Sequence, residues 1–272
     1  MPDISIVIPC HDAVTMVRRS VATLTDYLGG LEQSWEIILV DDGSTDGTGA
    51  VLDGLADGER IRVVHLPENR GKGRAVAKGM LAARGRYRIF TDVDLPYRLD
   101  SIPECVARMC AGAPAVFGNR LLERSDAHVQ STLRRMAGRL VRVVAGMFLG
   151  RTDADTQCGF KGFVGPLAAV LFTFVHTDGF LFDVEIYELF ARAEIPIQFV
   201  PVVLLNQGAS SVHLVRTGLR TLGEASRIWR NRRRPATELA ALWAAAGLGE
   251  PSSSNGLPGA PSAPVPPQIE DP

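Results

Sequence analysis

The stretch EIILVDDGSTDGT, residues 36–48, decides the fold class, because a strand, an acidic turn and a helix start follow one another within it. The apolar run from Glu36 to Val40 predicts a buried strand, which Asp41, Asp42 and Gly43 end. The segment from Asp46 to Leu55 begins with capping residues and predicts a helix. A strand followed by a helix is the unit from which parallel α/β sheets are built.

The same unit recurs on both sides of this stretch, which predicts an α/β fold with a mostly parallel central sheet flanked by helices. The other predicted strands are Ile4–Ile8, Ile61–Leu66, Tyr87–Thr91 and Ile197–Leu205. The other predicted helices are Val14–Leu28, Lys72–Ala83, Ser131–Leu149, Phe182–Arg192 and Leu214–Arg234. We expect one large domain over 1–234, a helical extension over 235–250, and a disordered tail rich in Pro, Ser and Gly over 251–272.

The composition is that of a globular protein, with 272 residues, 46% hydrophobic and 22% charged. The formal net charge of −1 argues against a nucleic-acid partner. The four cysteines are scattered without metal-binding spacing, which favours a reduced, cytoplasmic setting. No signal peptide and no membrane span are expected from the apolar pattern, and Gly162–Val175, its richest run, is too short and contains Pro166.

Polar clusters follow each of the first four predicted strands, and the carboxyl edge of a parallel sheet is where ligands bind. The clusters are residues 9–12, 41–48, 67–74 and 92–94. Their sequences contain neither GxGxxG nor GxxxxGK[ST], so a dinucleotide fold or a P-loop is not expected. We expect one ligand site where the four clusters converge.

Residue types within these clusters suggest a nucleotide. Asp41 and Asp42 suit ribose hydroxyls or base N–H groups, although an ordinary turn explains the same residues. Residues 70–73, Arg-Gly-Lys-Gly, can bring backbone N–H groups and cations to a phosphate at a helix start, and a solvated basic loop is equally compatible.

The stretch TDVDLP, residues 91–96, places two carboxylates side by side at the end of a strand. If the strand continues, Asp92 and Asp94 point to the same side. Such a pair suits a hard divalent cation, which binds one or two carboxylates together with substrate phosphates. A departing diphosphate needs that neutralising charge.

The chain resembles family-2 glycosyltransferases of the GT-A fold, and among them the dolichyl-phosphate glucosyltransferase and mannose synthase group. The matching motifs are residues 6–9 (IVIP), 40–48 (VDDGSTDGT), 69–73 (NRGKG), 92–94 (DVD), 118–120 (GNR), 155–161 (DTQCGFK) and 182–185 (FDVE). The resemblance covers about residues 3–234, and DTQCGFK points to the glucosyl branch. It implies a nucleotide-binding half over about 1–120 and an acceptor half over about 121–234.

The resemblance also implies roles for individual residues. The implied catalytic residues are Asp94, Asp155, Asp183 and Glu185, and the implied metal ligands, for Mg²⁺ or Mn²⁺, are Asp92 and Asp94. The implied substrate-binding residues are Pro9, His11, Asp12, Asp41, Asp42, Gly71, Lys72, Asp92, Val93, Arg120, Arg134, Gln157 and Lys161. Arg120 and Arg134 suit an acceptor phosphate by their bidentate geometry, or are solvated surface residues.

The implied reaction moves a sugar, glucose or mannose, from a UDP- or GDP-sugar to a polyprenyl or dolichyl phosphate, with inversion. A phosphate acceptor needs little general base, whereas a hydroxyl acceptor would need one, for which Asp155, Asp183 and Glu185 are candidates. A soluble hydroxyl acceptor and a non-catalytic nucleotide-sugar binding protein remain the alternatives. The basic segments 131–149 and 214–234 suit a peripheral contact with the cytoplasmic face of a membrane, or ordinary packed and exposed helices.

Overall fold

The computed structural model describes residues 1–120, 155–205, 223–230 and 236–247. Its strands are β1 (Ile4–Cys10), β2 (Trp35–Asp41), β3 (Ile61–His65), β4 (Tyr87–Phe90), β5 (Ala115–Asn119), β6 (Lys161–Val164) and β7 (Gln198–Pro201). Its helices are α1 (Val17–Gly29), α2 (Thr48–Asp53), α3 (Lys72–Ala82), α4 (Ser101–Cys110), α5 (Gly165–Phe174), α6 (Phe182–Arg192), α7 (residues 223–230) and α8 (Ala236–Ala245).

The strands form one seven-stranded sheet in the order β3-β2-β1-β4-β6-β5-β7. β1 to β4 are mutually parallel, and β5 and β7 are also parallel to each other. β6 lies between β4 and β5 and runs antiparallel to both. The predicted α/β fold with a mostly parallel sheet flanked by helices is therefore confirmed.

The register aligns the carboxyl ends of the first strands. Cys10 pairs with Asp41, and Asp41 pairs with His65, so the loops after β1, β2 and β3 start from one row. The antiparallel β6 places its first residue, Lys161, opposite Phe90 at the end of β4. As a result, the segment that precedes β6 reaches the same edge of the sheet as the loop that follows β4.

Two hydrophobic cores cover the faces of the sheet. Ile4, Ile6 and Ile8 of β1 pack into the core formed with α1 and α4. Val7, on the opposite face, packs into the core formed with α3, α5 and α6, which also contains Leu242 of α8. Burial on both faces explains why these strands are continuous apolar runs in the sequence.

One geometric expectation is wrong. β4 ends at Phe90, and residues 92–95 form a turn in which the Leu95 N–H donates to the Asp92 carbonyl at 3.0 Å. Leu95 has a φ of 43°, a conformation that an extended strand does not contain. Strand alternation therefore does not place Asp92 and Asp94 on one side; both lie half-buried in a turn at the sheet edge.

Four elements were not predicted from the sequence, namely α4, β5, β6 and α5. The apolar run Gly162–Val175 is divided between β6 and α5, and Pro166 lies in the first turn of that helix. β7 is shorter than the predicted strand over Ile197–Leu205, and only an isolated bridge from Tyr97 to Leu204 continues the pairing. None of the helices in the described parts of the chain is both long and apolar enough to cross a membrane.

Some predictions fall on residues that are not described. Arg134 and the helix predicted over Ser131–Leu149 lie outside the described residues, as does the tail 251–272. Of the helix predicted over Leu214–Arg234, residues 223–230 are described and are helical.

Candidate active site

Hydrogen bonds join the loop after β1 to the acidic turn after β2. The Thr45 N–H donates to Asp12 Oδ1 at 2.8 Å, and the Asp12 N–H donates to Ser44 Oγ at 3.1 Å. The Ala13 N–H donates to Thr48 Oγ1 at 2.8 Å. The polar residues of the DDGSTDGT motif thus hold the two loops together, although Thr45, Asp46 and Gly47 remain exposed to solvent.

Asp42 holds the start of α3. Its two carboxylate oxygens accept hydrogen bonds from the N–H groups of Arg70, at 2.9 Å, and Gly71, at 2.8 Å. Gly71 has a φ of 111°, which is accessible only to glycine without strain. The Asp42 carboxylate, which was predicted to bind the nucleotide, is bonded to the backbone of the basic loop and holds that loop at the start of α3.

Gly43 allows the two loops to approach closely. Its φ is 64°, and a Cβ at this position would lie 2.5 Å from the Asn69 backbone nitrogen. Only glycine satisfies both the left-handed conformation and this contact.

Asp41 ends β2 and is tied to a histidine. Its Oδ1 accepts the Ser44 N–H at 3.0 Å, and its Oδ2 lies 3.1 Å from His65 Nδ1. Burial raises the pKa of the Asp41 carboxyl, but hydrogen bonds from Ser44 and His65 together bring it below its usual value. His65 Nε2 lies 2.8 Å from Asp53 Oδ1, and the hydrogen bond to Asp53 contributes most to raising the pKa of the imidazole.

The remaining residues predicted to bind the donor lie at the same edge of the sheet. Pro9 is half-buried near the end of β1, and Val93 is half-buried in the turn after β4. His11 is exposed, and its Nε2 lies 2.6 Å from Asn69 Nδ2.

Lys72, the first residue of α3, reaches the turn after β4. Its Nζ lies 2.5 Å from Asp92 Oδ1, and one fifth of its side chain is exposed. Burial opposes the charged form, but the carboxylates of Asp92, Asp183 and Asp94 together raise the pKa of this ammonium above its usual value. The described residues contain no cluster of three or more His, Cys, Asp or Glu side chains that could bind a metal ion.

The DTQCGFK segment, residues 155–161, packs against the turn that contains Asp92. A Cβ on Gly159 would overlap the Asp92 carboxylate, so the backbone of this segment lies directly against the turn. The Gly159 N–H donates to Tyr97 Oη at 3.2 Å. The predicted acceptor-side motif and the predicted metal ligands are therefore brought together.

Lys161, the last residue of that motif, is fully buried and paired. Its Nζ donates to Asp183 Oδ1 at 2.7 Å and to the Cys158 carbonyl at 2.6 Å. The rings of Phe117 and Phe90 lie 5.5 and 5.7 Å from the ammonium. Burial raises the pKa of Asp183 above its usual value despite the nearby ammonium groups.

Arg120 and Asp155, both predicted to meet the acceptor, are bonded to each other. Arg120 Nε and Nη2 donate to the two oxygens of Asp155, at 2.5 and 2.7 Å. Burial raises the pKa of Asp155, but this bidentate pair brings it below the usual value. The carboxylate is thus ionised and oriented by the guanidinium.

Glu185 faces a loop rather than open space. Its Oε2 accepts the N–H groups of His176, at 3.0 Å, and Thr177, at 2.8 Å. The same loop carries Asp178, whose Oδ1 accepts a hydrogen bond from Arg74 Nε at 2.7 Å. Asp178 was not predicted, because an ion pair between residues 104 positions apart leaves no local signal in the sequence.

Gln157 has a distinctive environment. Its Nε2 is buried and has no hydrogen-bond partner within the described residues. The neighbouring Cys158 is free and buried, and burial raises the pKa of its thiol, as it does for Cys10. These thiols are unsuited to act as nucleophiles.

Comparison with known proteins places this arrangement in a family. The chain is 32% identical over 218 residues to the dolichyl-phosphate beta-glucosyltransferase of Drosophila melanogaster, which covers 74% of this chain and 66% of that protein. It is 31% identical over 224 residues to the enzyme of the same name from Saccharomyces cerevisiae, which covers 73% of this chain and 66% of that protein. The chain thus spans slightly less than two thirds of the length of these relatives.

Solved structures confirm the fold. Glucosyl-3-phosphoglycerate synthase from Mycobacterium tuberculosis, in complex with UDP, aligns with a TM-score of 0.55 and 20% identity over 92% of this chain and 82% of that chain. The same enzyme with Mn²⁺, UDP-glucose and phosphoglyceric acid aligns with a TM-score of 0.53. The sequence model described as Glycosyl transferase family 2 matches residues 5–176. The chain belongs to glycosyl transferase family 2 and has the GT-A fold.

Proposed function

We propose that this chain transfers a glucosyl group from a nucleotide diphosphate sugar, UDP-glucose first, to the phosphate of a polyprenyl or dolichyl phosphate. The observation that carries the proposal is the contact of the DTQCGFK backbone, at Gly159, with Asp92. It brings the segment expected to meet the acceptor to the turn expected to meet the diphosphate. The two relatives with this chemistry in their names, each aligned over about three quarters of the chain, support the same substrate class.

The donor would lie across the carboxyl ends of β1, β2 and β4. Asp41 is the last residue of β2. Because its pKa is lowered, its carboxylate stays ionised and could accept hydrogen bonds from the base or the ribose. Gly71 and Lys72 begin α3, and the first N–H groups of a helix together with an ammonium favour a bound diphosphate. UDP is proposed as the nucleotide because the structural neighbours with this fold hold UDP and UDP-glucose.

Asp92 and Asp94 would hold Mg²⁺ or Mn²⁺. Both are half-buried carboxylates in a turn, and this donor set fits Mg²⁺, which takes one or two carboxylates and completes its shell with phosphates and water. A bound divalent cation would neutralise the charge that develops on the departing diphosphate. A neighbour crystallised with Mn²⁺ and UDP-glucose supports the use of such an ion.

The acceptor phosphate needs no base, because it is already anionic at neutral pH. Arg120, about one third exposed, presents a guanidinium beside the site, and Asp155 fixes its orientation. Direct attack of a phosphate oxygen on the sugar carbon expels the nucleotide diphosphate in one displacement and inverts the configuration at that carbon. Lys161, paired with Asp183, would not contact the substrate. It would hold the backbone of residues 156–158 in place through the Thr156 and Cys158 carbonyls.

A lipid acceptor requires the site to approach a membrane surface. Helix α7 exposes Arg227, Trp229 and Arg230, whereas Ile228 faces the protein. Arginine and tryptophan are suited to anionic headgroups and the interface between water and lipid. We place the peripheral contact, on the cytoplasmic face, at this helix.

The test is donor turnover by the purified full chain with Mg²⁺ or Mn²⁺, using UDP- and GDP-sugars with and without a short polyprenyl phosphate. Lipid-dependent release of UDP from UDP-glucose, abolished in Asp94→Ala and kept in Asp26→Ala on the exposed face of α1, is the expected result. Turnover only with a soluble hydroxyl acceptor would replace the lipid by that acceptor. If none of the donors binds, the proposed transferase activity is wrong.

A further inference from the structure

The ammonium of Lys72 lies beside Asp92, one of the two carboxylates proposed to bind the divalent cation. Its Nζ lies 2.5 Å from Asp92 Oδ1, and the Asp94 and Asp183 carboxylates act on the same charge. Lys72 is the first residue of α3, and Asp42 fixes that start through the Arg70 and Gly71 N–H groups. The backbone origin of the side chain is therefore fixed, and its four-carbon stem determines which anion the ammonium meets.

Asp92 cannot satisfy two cations through the same oxygen. Lys72 holds Oδ1, and the other oxygen, Oδ2, lies against the backbone of Gly159, where a Cβ would overlap it. A divalent cation at Oδ1 would meet the ammonium, and two positive charges at this spacing repel strongly in a half-buried site. Direct binding of a divalent cation by Asp92 Oδ1 therefore requires Lys72 to move away. The nearest new anion for an ammonium at the start of α3 is a diphosphate bound at that helix start.

The local charge favours joint entry of the metal and the donor. Asp92, Asp94 and Asp183 carry three negative charges, and Lys72 and Lys161 carry two positive charges. A divalent cation alone reverses the sign of this net charge. A divalent cation together with the two charges of a nucleotide diphosphate sugar leaves it unchanged.

We propose that Lys72 is an exchangeable counterion: it neutralises Asp92 before the donor arrives and transfers to the diphosphate when the metal binds. This inference rests on the proposed metal-dependent donor site and adds its order of assembly. Lys72 thereby suppresses binding of the metal alone and strengthens binding of the metal and nucleotide together.

The distinguishing variant is Lys72→Met, which keeps the length of the side chain and removes its charge. We expect Mn²⁺ alone to bind this variant about tenfold more tightly than wild type, because the competing cation is gone. With saturating Mn²⁺, we expect UDP to bind about tenfold more weakly, because the diphosphate loses its ammonium. A residue that merely supports the fold would weaken both.

The measurement is a titration of the full chain with Mn²⁺, followed by electron paramagnetic resonance of the free ion, without nucleotide and with UDP. Lys78→Met removes an exposed charge from the same helix and should match wild type in both titrations. Lys72→Arg keeps the charge and should leave binding of Mn²⁺ alone weak. Thermal unfolding of each variant verifies that it is folded.

The outcomes distinguish a failure of the Lys72 exchange from a failure of the metal-dependent donor site. Opposite changes in the two affinities of Lys72→Met support the exchange. Unchanged or weaker binding of Mn²⁺ alone by this variant, while wild type still binds Mn²⁺ with UDP, overturns the exchange and leaves the proposed function standing. No Mn²⁺ bound by wild type even with UDP overturns the metal-dependent donor site and the exchange with it.

Discussion

The proposed donor side and the proposed acceptor side of the site are held together by different interactions. On the donor side, carboxylates accept hydrogen bonds from backbone N–H groups: Asp12 from Thr45, and Asp42 from Arg70 and Gly71. On the acceptor side, charged side chains pair with each other, as Arg120 does with Asp155 and Lys161 with Asp183. The contacts of Asp12 and Asp42 should therefore respond to changes in backbone geometry, and the Arg120–Asp155 and Lys161–Asp183 pairs to changes in charge.

The sharpest test on the acceptor side is Lys161→Met. It leaves Asp183 buried without its 2.7 Å partner, which we expect to lower the free energy of unfolding by about 3–5 kcal/mol. The loss should be smaller at pH 5 than at pH 8, because the pKa of Asp183 is already raised and its protonation removes the buried charge. Urea unfolding at both pH values measures it.

The control is Arg98→Met, which breaks an exposed pair with Asp100 and should cost less than about 1 kcal/mol. Equal losses in the two variants would mean that burial does not distinguish the acceptor-side pair from a surface pair.

On the donor side, Gly43→Ala changes no charge but should cost about 2–4 kcal/mol. An alanine must adopt a φ of 64°, and its Cβ meets the Asn69 backbone nitrogen at 2.5 Å. Gly29→Ala, at the end of α1 with nothing within 4 Å, should be neutral or stabilising by up to about 1 kcal/mol. Unfolding midpoints in urea compare the two; a tolerated Gly43→Ala would contradict the contact.

A milder change on the donor side is Asp42→Asn. An amide has one acceptor oxygen, so one of the Arg70 and Gly71 N–H groups loses its partner, at a cost of about 1–3 kcal/mol. Because these groups fix the start of α3, UDP affinity should fall as well, which isothermal titration calorimetry measures. Asp26→Asn on the exposed face of α1 should change neither quantity.

The smallest expected effect is the pH dependence that His65 contributes. Its pKa is raised above 6.5, so its contribution to stability is present below pH 6.5 and is lost as the pH rises through the folded-state pKa. His65→Gln should lower the unfolding temperature by at most about 3 °C at pH 6 and by less at pH 9, since the side chain is 43% exposed. A loss that grows with pH would have the wrong sign.

The sequence predicts the elements of the donor side because each is marked locally. Ile4–Ile8 and Glu36–Val40 are apolar runs with clear ends, and the structure confirms strands there. The strand β6 escaped prediction because Lys161–Val164 joins the apolar helix that follows, so the pattern shows one run instead of two elements.

The sequence predicts which charged residues gather, but not how they pair. Arg120 and Asp155 are 35 positions apart, and Lys161 and Asp183 are 22 apart, so no periodicity links them. Arg120 and Lys161 were each predicted to bind substrate, and Asp155 and Asp183 were each predicted to be catalytic, whereas the fold pairs them with each other. Their roles in the reaction remain predictions, as do those of Asp94 and Glu185.

The reversed direction of β6 has an evolutionary consequence. The chain leaves the sheet at Arg120, after β5, and returns at Asp155, before the adjacent β6, and the bidentate pair between these residues ties the two ends. Doubling the length of a segment whose ends are already close costs only about 0.6 kcal/mol in closure entropy. The intervening chain can therefore lengthen or shorten while the loops after β1 to β4 stay intact. A single scaffold can in this way give rise to descendants that differ in the segment inserted between these two ends.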